Sequence, residues 1–396
     1  MAWNKCNSFK NELDTEGVNL RVHFAYVCHQ AGVNQGRFSG EIEECKCNHC
    51  KKGMEFVCRF NPDWISEWHR KNPNPSQPEY LYEADRVLVL GDIHGDLFLL
   101  LSALFLAGLI NLKGEWIGEI MRTKVVLVGD IVDGFRMKEV KNANPHSESA
   151  IFQYIEFMNA LTNQHIILRV VGNHEEMRMK GNTEYMIGKD ELDEGETFWP
   201  GELGKDNLKS KRQLKSFQTY IAATMPYVIR IGKCFFSHTI ADFEGQYSYK
   251  NWGIEHGEGM QHLNKSTFES FRGDYKVPKE LHHSLWDRNV GSGDGCEYLQ
   301  DYAQFLGEKK GDDNVKSHFF IGHSIQKQCS RKGCRYVGKS YCTGKLNAID
   351  VAASLAFHQP DHVTICKIEN PNNPNPVICN FRIDGSIESS NFGRLL

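Results

Sequence analysis

Three short segments of this 396-residue chain place acidic, amide and imidazole side chains directly after glycine. They are Gly91-Asp92-Ile93-His94-Gly95-Asp96, Gly129-Asp130-Ile131-Val132-Asp133-Gly134 and Gly172-Asn173-His174-Glu175. Two further imidazoles follow apolar runs: His238 after Cys234-Phe235-Phe236-Ser237, and His323 in Phe320-Ile321-Gly322-His323-Ser324. Carboxylate, amide and imidazole groups are hard to borderline ligands that suit Mn, Fe or Zn. Six of them, Asp92, His94, Asp130, Asn173, His238 and His323, exceed the needs of one ion. One carboxylate, Asp130 by its place in the middle segment, can bridge two divalent ions about 3.5–4 Å apart, the spacing of two-metal phosphoryl-transfer sites. Such a pair lowers the pKa of a bridging water and neutralises phosphate oxygens, so a hydroxide attacks and no protein nucleophile is needed.

Residues scattered from Asp92 to His323 converge only if the elements before them end at one place. Each polar set follows an apolar run, at residues 86–90, 124–129 and 166–172, that reads as a strand buried on both faces. Helical patterns follow over 96–109, over 148–161 and from about 175. Strands alternating with helices predict an α/β layered core, with ligands gathered where the strands end. Shorter strands are expected at 227–231, 233–237, 318–321, 346–350, 362–368 and 377–383, and a helix at 299–306. The expected architecture is a mixed sheet, or two packed sheets, with helices outside. Residues 180–211 are polar and Gly-rich without a clear period, as in a surface insertion or lid.

Hydrophobic residues make up 40% and charged residues 24% of the chain, enough for a globular core. The formal charge of −4 gives no bulk reason to seek nucleic acid or anionic lipid. The longest aliphatic stretch, residues 97–110, is too short to span a bilayer, so no membrane partner is expected. The N-terminus lacks the pattern of a secretory signal, and the 13 cysteines are an odd number. Free thiols or metal ligands in an intracellular, cytoplasmic setting are therefore expected. Residues 1–80 stand apart as a Cys-rich accessory segment that ends in the linker Asn72-Pro73-Asn74-Pro75-Ser76-Gln77-Pro78, and residues 81–396 form the main domain. Cys45, Cys47, Cys50 and Cys58, or three of them with His49 or Cys28, could hold one structural zinc; reduced, partly buried thiols are the plainer reading. Nothing in the sequence indicates the oligomeric state.

Alone, GDIHGD could be a strand followed by an Asp-capped helix. Five ordered blocks are harder to explain so simply. GDIHGD, GDIVDG, GNHE, SHTI and GHSIQ resemble the motif blocks of the calcineurin-like metallophosphoesterases. Leu285-Trp286-Asp287-Arg288 and Ile349-Asp350-Val351-Ala352-Ala353-Ser354 resemble further blocks of the bacterial-type, Shewanella-like phosphoprotein serine/threonine phosphatases. The resemblance covers about residues 86–383 and not the N-terminal segment. It implies an α/β (in some schemes α+β) four-layer αββα sandwich with mixed sheets. It also implies a metal-dependent hydrolase of phosphate monoesters, acting on phosphorylated protein or a small phosphoester. Hydrolysis of a dinucleoside polyphosphate or RNA cap, and a degenerate phosphatase that only binds phosphorylated partners, are the alternatives.

By the same resemblance, Asp92, His94 and Asp130 surround one metal, and Asp130, Asn173, His238 and His323 the other. His174 is the general acid, Asp133 holds it by a hydrogen bond, and Arg288 grips the phosphate, with Asn173 beside it. One departure is clear. The family's second block continues Asp-Arg-Gly with a phosphate-binding Arg, whereas Asp133 is followed by Gly134 and Phe135. Arg136, two residues on, is a weaker substitute. The SHTI block also lacks a doubled Gly, since Thr239 and Ile240 follow His238.

Overall fold

The structure is a computed structural model that describes residues 20–31, 48–61, 63–119, 122–133, 147–162, 164–180, 182, 185, 208–241, 248–272, 278–288, 295–308, 317–330, 333–336, 338–350 and 362–382. Its first helices are α1 Leu20–Gln30, α2 Asn48–Lys51, α3 Trp64–Lys71, α4 Leu97–Leu106 and α5 Ser147–Leu161. Then come α6 Asn173–Met179, α7 Leu208–Thr224, α8 Gly259–Arg272, α9 Lys279–Trp286 and α10 Leu299–Leu306. The first strands are β1 Leu81–Tyr82, β2 Arg86–Leu90, β3 Thr123–Leu127, β4 Ile167–Arg169, β5 Val228–Ile231 and β6 Cys234–Ser237. The rest are β7 His318–Ile321, β8 Lys327–Ser330, β9 Gly333–Tyr336, β10 Lys339–Tyr341, β11 Leu346–Ala348, β12 His362–Ile368 and β13 Val377–Arg382.

Two mixed sheets result, in the orders β13-β12-β2-β3-β4 and β1-β5-β6-β7-β11-β10, with β8 and β9 as a separate hairpin. Strands β2, β3 and β4 are parallel, and Leu90 pairs with Leu127 and Leu127 with Arg169. All three strands thus finish level, which brings the loops carrying Asp92, Asp130 and Asn173 side by side. In the second sheet β6 and β7 are parallel, with Phe236 opposite Phe320, so His238 and His323 also leave from one edge.

Alternation explains why these strands are apolar throughout. Successive side chains of a strand point to opposite faces. Val87, Val89, Val126 and Val128 pack with Ile229, Ile231, Phe236, Phe320 and Ile349 between the sheets. Leu88, Leu90, Val125 and Leu127 belong to the other buried cluster, shared with the helices. The four-layer sandwich follows: helices, sheet, sheet, helices. Asp96 begins α4 by accepting a 2.9 Å bond from the Leu99 amide, a side-chain N-cap.

Part of the Cys-rich segment is built into this core. Leu20, Phe24, Val27, Phe56 and Trp64 belong to the same buried cluster as Leu97, Leu100, Tyr154 and Phe217. Arg21 Nη1 lies 2.6 Å from Asp96 Oδ2, and the Val57 amide donates to the Lys113 carbonyl at 2.8 Å. Trp64 donates its indole N–H to Ser149 Oγ at 2.8 Å and stacks on Phe152. The thiol expectation is corrected at one place: Cys296 and Cys342 form a disulfide, with Cα atoms 5.2 Å apart. Cys28, Cys58, Cys234 and Cys366 are free and buried, and Cys50 and Cys379 are buried as well. Helices α7, α8 and α9 go beyond the sequence expectation, although α8 buries Met260, Leu263, Asn264, Thr267 and Phe271 at helical spacing. Most of the surface insertion at 180–211 lies outside the described residues, and its end is the start of α7. No described helix is long and apolar enough to cross a membrane.

Candidate metal centre

The strand-end loops are tied directly to one another. Asp130 O accepts from the Ile93 and His94 amides at 3.0 and 2.8 Å, and the Gly95 amide donates to Ile131 O at 2.6 Å. Asp130 Oδ1 accepts the His174 amide at 2.9 Å, and the Asp92 carboxylate accepts the His323 amide at 3.1 and 3.2 Å. Gly322 N donates to His238 O at 3.1 Å. Close approach of this kind excludes side chains from the glycines: a Cβ on Gly172 would collide with Asp130 Oδ1, and one on Gly322 with Asp92 Oδ1. His94, Asp130, Asp133 and His323 all have positive φ, 45°, 49°, 69° and 61°. Left-handed backbone is unfavourable for non-glycine residues and is kept where the surroundings fix it.

Four acceptor atoms meet in this frame. The Nδ1 of His238 faces the Val128 carbonyl at 2.8 Å, so in the neutral ring that nitrogen carries the hydrogen. Its Nε2 then turns a lone pair toward Asn173 Oδ1 at 2.8 Å, His323 Nδ1 at 3.2 Å and Asp130 Oδ2 at 3.3 Å. With His323 as the Nε2–H tautomer, lone pairs this close repel unless a cation lies among them. A proton on His238 is one such cation; burial opposes it, but the Asp130 carboxylate outweighs burial and raises the imidazole pKa. A divalent metal is the other, and the amide, imidazole and carboxylate donors fit it. The Nε2 atoms of His94 and His174 also each lie 3.9 Å from Asp130 Oδ2, and His94 Nδ1 faces Val132 O at 3.2 Å. Two groups thus share Asp130: His94-Asp130-His174 and Asp130-His238-His323.

Burial pushes the His94 pKa down to about 4, with His174 adding to the effect, and burial with His238, and more weakly Arg288, takes His323 down to about 3. Both rings therefore present lone pairs at neutral pH. Burial also raises Asp92, helped by the carboxylates of Asp350 and Asp130. Asp130 is held well below the ordinary carboxylate range: burial acts against its charge, but His238 and His174 prevail. His174 differs from its neighbours. Burial opposes its proton, yet Asp130 and Asp133 lift its pKa to about 9, and its side chain is 18% exposed where Asp130 and His238 are 3% and 0%. It is the imidazole that both carries a proton and can be reached.

Asp133 Oδ2 lies 3.0 Å from His174 Nδ1, which leaves Nε2 for a substrate. Arg288 is exposed at the end of α9. Arg136, Gly134, Cys45 and Cys47 lie outside the described residues, as does the side chain of His49. Cys50 Sγ is 3.3 Å from His23 Nδ1, and Cys58 Sγ is 3.8 Å from Arg59 O.

Three buried charges that hold Asp130 and Asp133 have no role in the sequence reading. Glu175 accepts the amides of Gly172, Asp130, Ile131 and Val132 at 2.7, 3.0, 2.7 and 3.1 Å, and so fixes the loop that carries Asp130. Arg178, fully buried, pairs with Asp133 and with Glu148 Oε2 at 3.1 Å. Glu148 Oε1 in turn accepts the Asp133 amide at 2.7 Å. The fourth letter of GNHE could have pointed to Glu175; Arg178 and Glu148 look in the sequence like ordinary surface charges.

The family model described as "Calcineurin-like phosphoesterase" matches residues 85–327, more than half of the chain and all the loops above. This chain belongs to that family. The phosphoesterase is 32% identical over 107 residues to Shewanella-like protein phosphatase 2 of Arabidopsis thaliana, across 26% of this chain and 24% of that protein. It therefore matches about a quarter of the relative's length. Among solved structures, a cold-active protein tyrosine phosphatase superposes with a TM-score of 0.53 at 16% identity, over 84% of this chain and 83% of that one. The cold-active protein-tyrosine phosphatase of a psychrophilic Shewanella species gives 0.52 at 18% identity, over 78% and 82%. These likenesses show a common fold. The family is metal-dependent and hydrolyses phosphoric esters.

Proposed function

We propose that this phosphoesterase hydrolyses phosphate monoesters on proteins, with two divalent cations shared through Asp130. The observation that carries this reading is the convergence of acceptor atoms from four loops on one point beside a reachable, protonated His174. Asp92, His94 and Asp130 would hold one cation, and Asp130, Asn173, His238 and His323 the other. Bound there, Mn, Fe or Zn would supply Lewis acidity and a water of lowered pKa.

The chain's own residues do the rest. Asp133 accepts from Nδ1 of His174, fixing the tautomer and keeping a proton on Nε2 for the leaving oxygen. Arg178 and Glu148 keep Asp133 in place from behind. Arg288, planar and always charged, binds the phosphate oxygens with two donors.

The test is steady-state hydrolysis by the full chain of phosphoserine, phosphothreonine and phosphotyrosine peptides, p-nitrophenyl phosphate and a dinucleoside polyphosphate, before and after chelation. The reading predicts turnover of phosphopeptides that chelator abolishes and added Mn restores. Faster turnover of the dinucleoside polyphosphate would favour that alternative, and binding of phosphopeptides without turnover would favour a degenerate phosphatase. Activity that survives with no metal bound would refute the metal role.

A further inference from the structure

Glu176 follows the candidate acid by two residues, and its side chain is fully buried. Its Oε2 accepts the indole N–H of Trp286 at 3.0 Å, and its Oε1 lies 2.7 Å from Lys180 Nζ. His282 Nδ1 lies 2.8 and 2.9 Å from the two oxygens. Both His282 and Trp286 belong to α9, so one carboxylate on α6 seats the helix that runs into Arg288. The same helix is held from the other sheet. Thr239, next to His238, donates its hydroxyl to the Ser284 carbonyl, and Tyr227 donates to Ser284 Oγ at 2.9 Å. After Trp286 the backbone opens at Asp287, with φ −71° and ψ 127°, and Arg288 follows. Lys180 and His282 are 38% and 45% exposed, so these ion pairs add little stability, but the Glu176 carboxylate itself is buried, and removing a partner leaves its charge less well met, which fixes geometry. Arg288 needs such fixing, since a guanidinium misplaced by about 1 Å loses much of its effect on a bound phosphate.

We propose that Glu176 is a positioning residue, which acts through the Trp286 indole N–H to place the Arg288 guanidinium over the metal centre. The inference rests on the reading of Arg288 as the phosphate clamp. Its test is a double-mutant cycle read as the competitive inhibition constant of inorganic phosphate, with KM and kcat for p-nitrophenyl phosphate and a thermal melt for every variant. Arg288→Ala should raise the inhibition constant about 10–100-fold, the loss of a charge-assisted bond. Trp286→Phe keeps an aromatic ring and removes the N–H; it should raise the constant about 3–10-fold, and raise KM more than it lowers kcat. Glu176→Gln keeps an oxygen for the indole and should do less, which provides a second variant if the first does not fold. In the Arg288→Ala background neither change should raise the constant further.

The proposal is overturned if Trp286→Phe and Glu176→Gln act as strongly without Arg288 as with it. It is also overturned if they do nothing while Arg288→Ala has its full effect. If Arg288→Ala itself leaves phosphate inhibition unchanged, the clamp reading has failed and the positioning role falls with it.

Discussion

The N-terminal layer and the loops around Asp130 bury ionisable groups on opposite terms. In the layer, Leu20, Phe24, Val27 and Trp64 supply apolar area, and the thiols of Cys28 and Cys58 stay neutral. Burial pushes Cys58 up to about 12 and Cys28 well above its usual value, the latter helped by Cys58. At the loops, Asp92, Asp130, Asp133, Glu148, Glu175, Glu176 and Arg178 are all buried. They are paired, latched to amides or set where a cation is needed, and four backbone positions there are left-handed. Apolar burial lowers the free energy of folding by about 25 cal/mol per Å², whereas buried charge and strained backbone raise it unless partners compensate. The layer is therefore built for stability, and the loops accept cost for chemistry. Substitutions in the two regions should separate in the same way.

Truncation should give the largest effect. The linker in the sequence suggests that a chain starting near Tyr80 folds and stays active. The packing of Leu20, Phe24, Phe56 and Trp64 against α4, α5 and α7 leads to the opposite outcome, loss of a cooperative melt, because the apolar faces of those helices would meet water. A sharp melt with retained metal-dependent hydrolysis would break the comparison. His174→Ala should lower turnover on poor leaving groups about 10²–10⁴-fold and less on p-nitrophenyl phosphate, with the melting temperature little changed. An equal loss on both substrates would point to a structural role.

Arg21→Met should do the reverse. It takes the guanidinium from the buried Asp96, which still accepts the Leu99 amide, and breaking a buried pair costs about 3–5 kcal/mol. The melting temperature should fall while turnover per folded molecule stays the same; a selective loss of turnover would tie the layer to the chemistry. The smallest effect concerns the thiols. Because Cys58 ionises only near pH 12 in the fold and near 9 when unfolded, its contribution is complete below about pH 9. Stability should then decline as pH rises above 9, by at most about 1.4 kcal/mol per pH unit per thiol. Replacing Cys58 with Ala should flatten that decline in urea melts at pH 8 and 10.

The comparison also separates what could be read in the sequence from what could not. Strands β2 and β7 were legible to the residue, because strands buried on both faces are apolar runs ended by Gly or polar residues. The ligand types at their ends were legible for the same reason. Helix α1 was not: Leu20, Phe24 and Val27 are interleaved with Arg21, His23 and Cys28, and in a Cys-rich context that pattern looks accessory. Buried charges were the other blind spot. Glu148, Glu176 and Arg178 carry no mark that distinguishes them from solvated residues, since their partners, Asp133 and Trp286, are close only in the fold. The Cys296–Cys342 pair was hidden in the same way, by a sequence separation of 46.

Titration of the metal-stripped full chain with Mn(II), followed by electron paramagnetic resonance, tests the central claim most directly. Mn favours oxygen and nitrogen donors over thiolates, so any zinc site at Cys45, Cys47, Cys50 and Cys58 would not enter the count. The account predicts two Mn per chain in the wild type and at most one in Asp130→Asn, with both proteins melting cooperatively. A single Mn in the wild type, or two held undiminished by Asp130→Asn, would contradict a centre built around a shared Asp130.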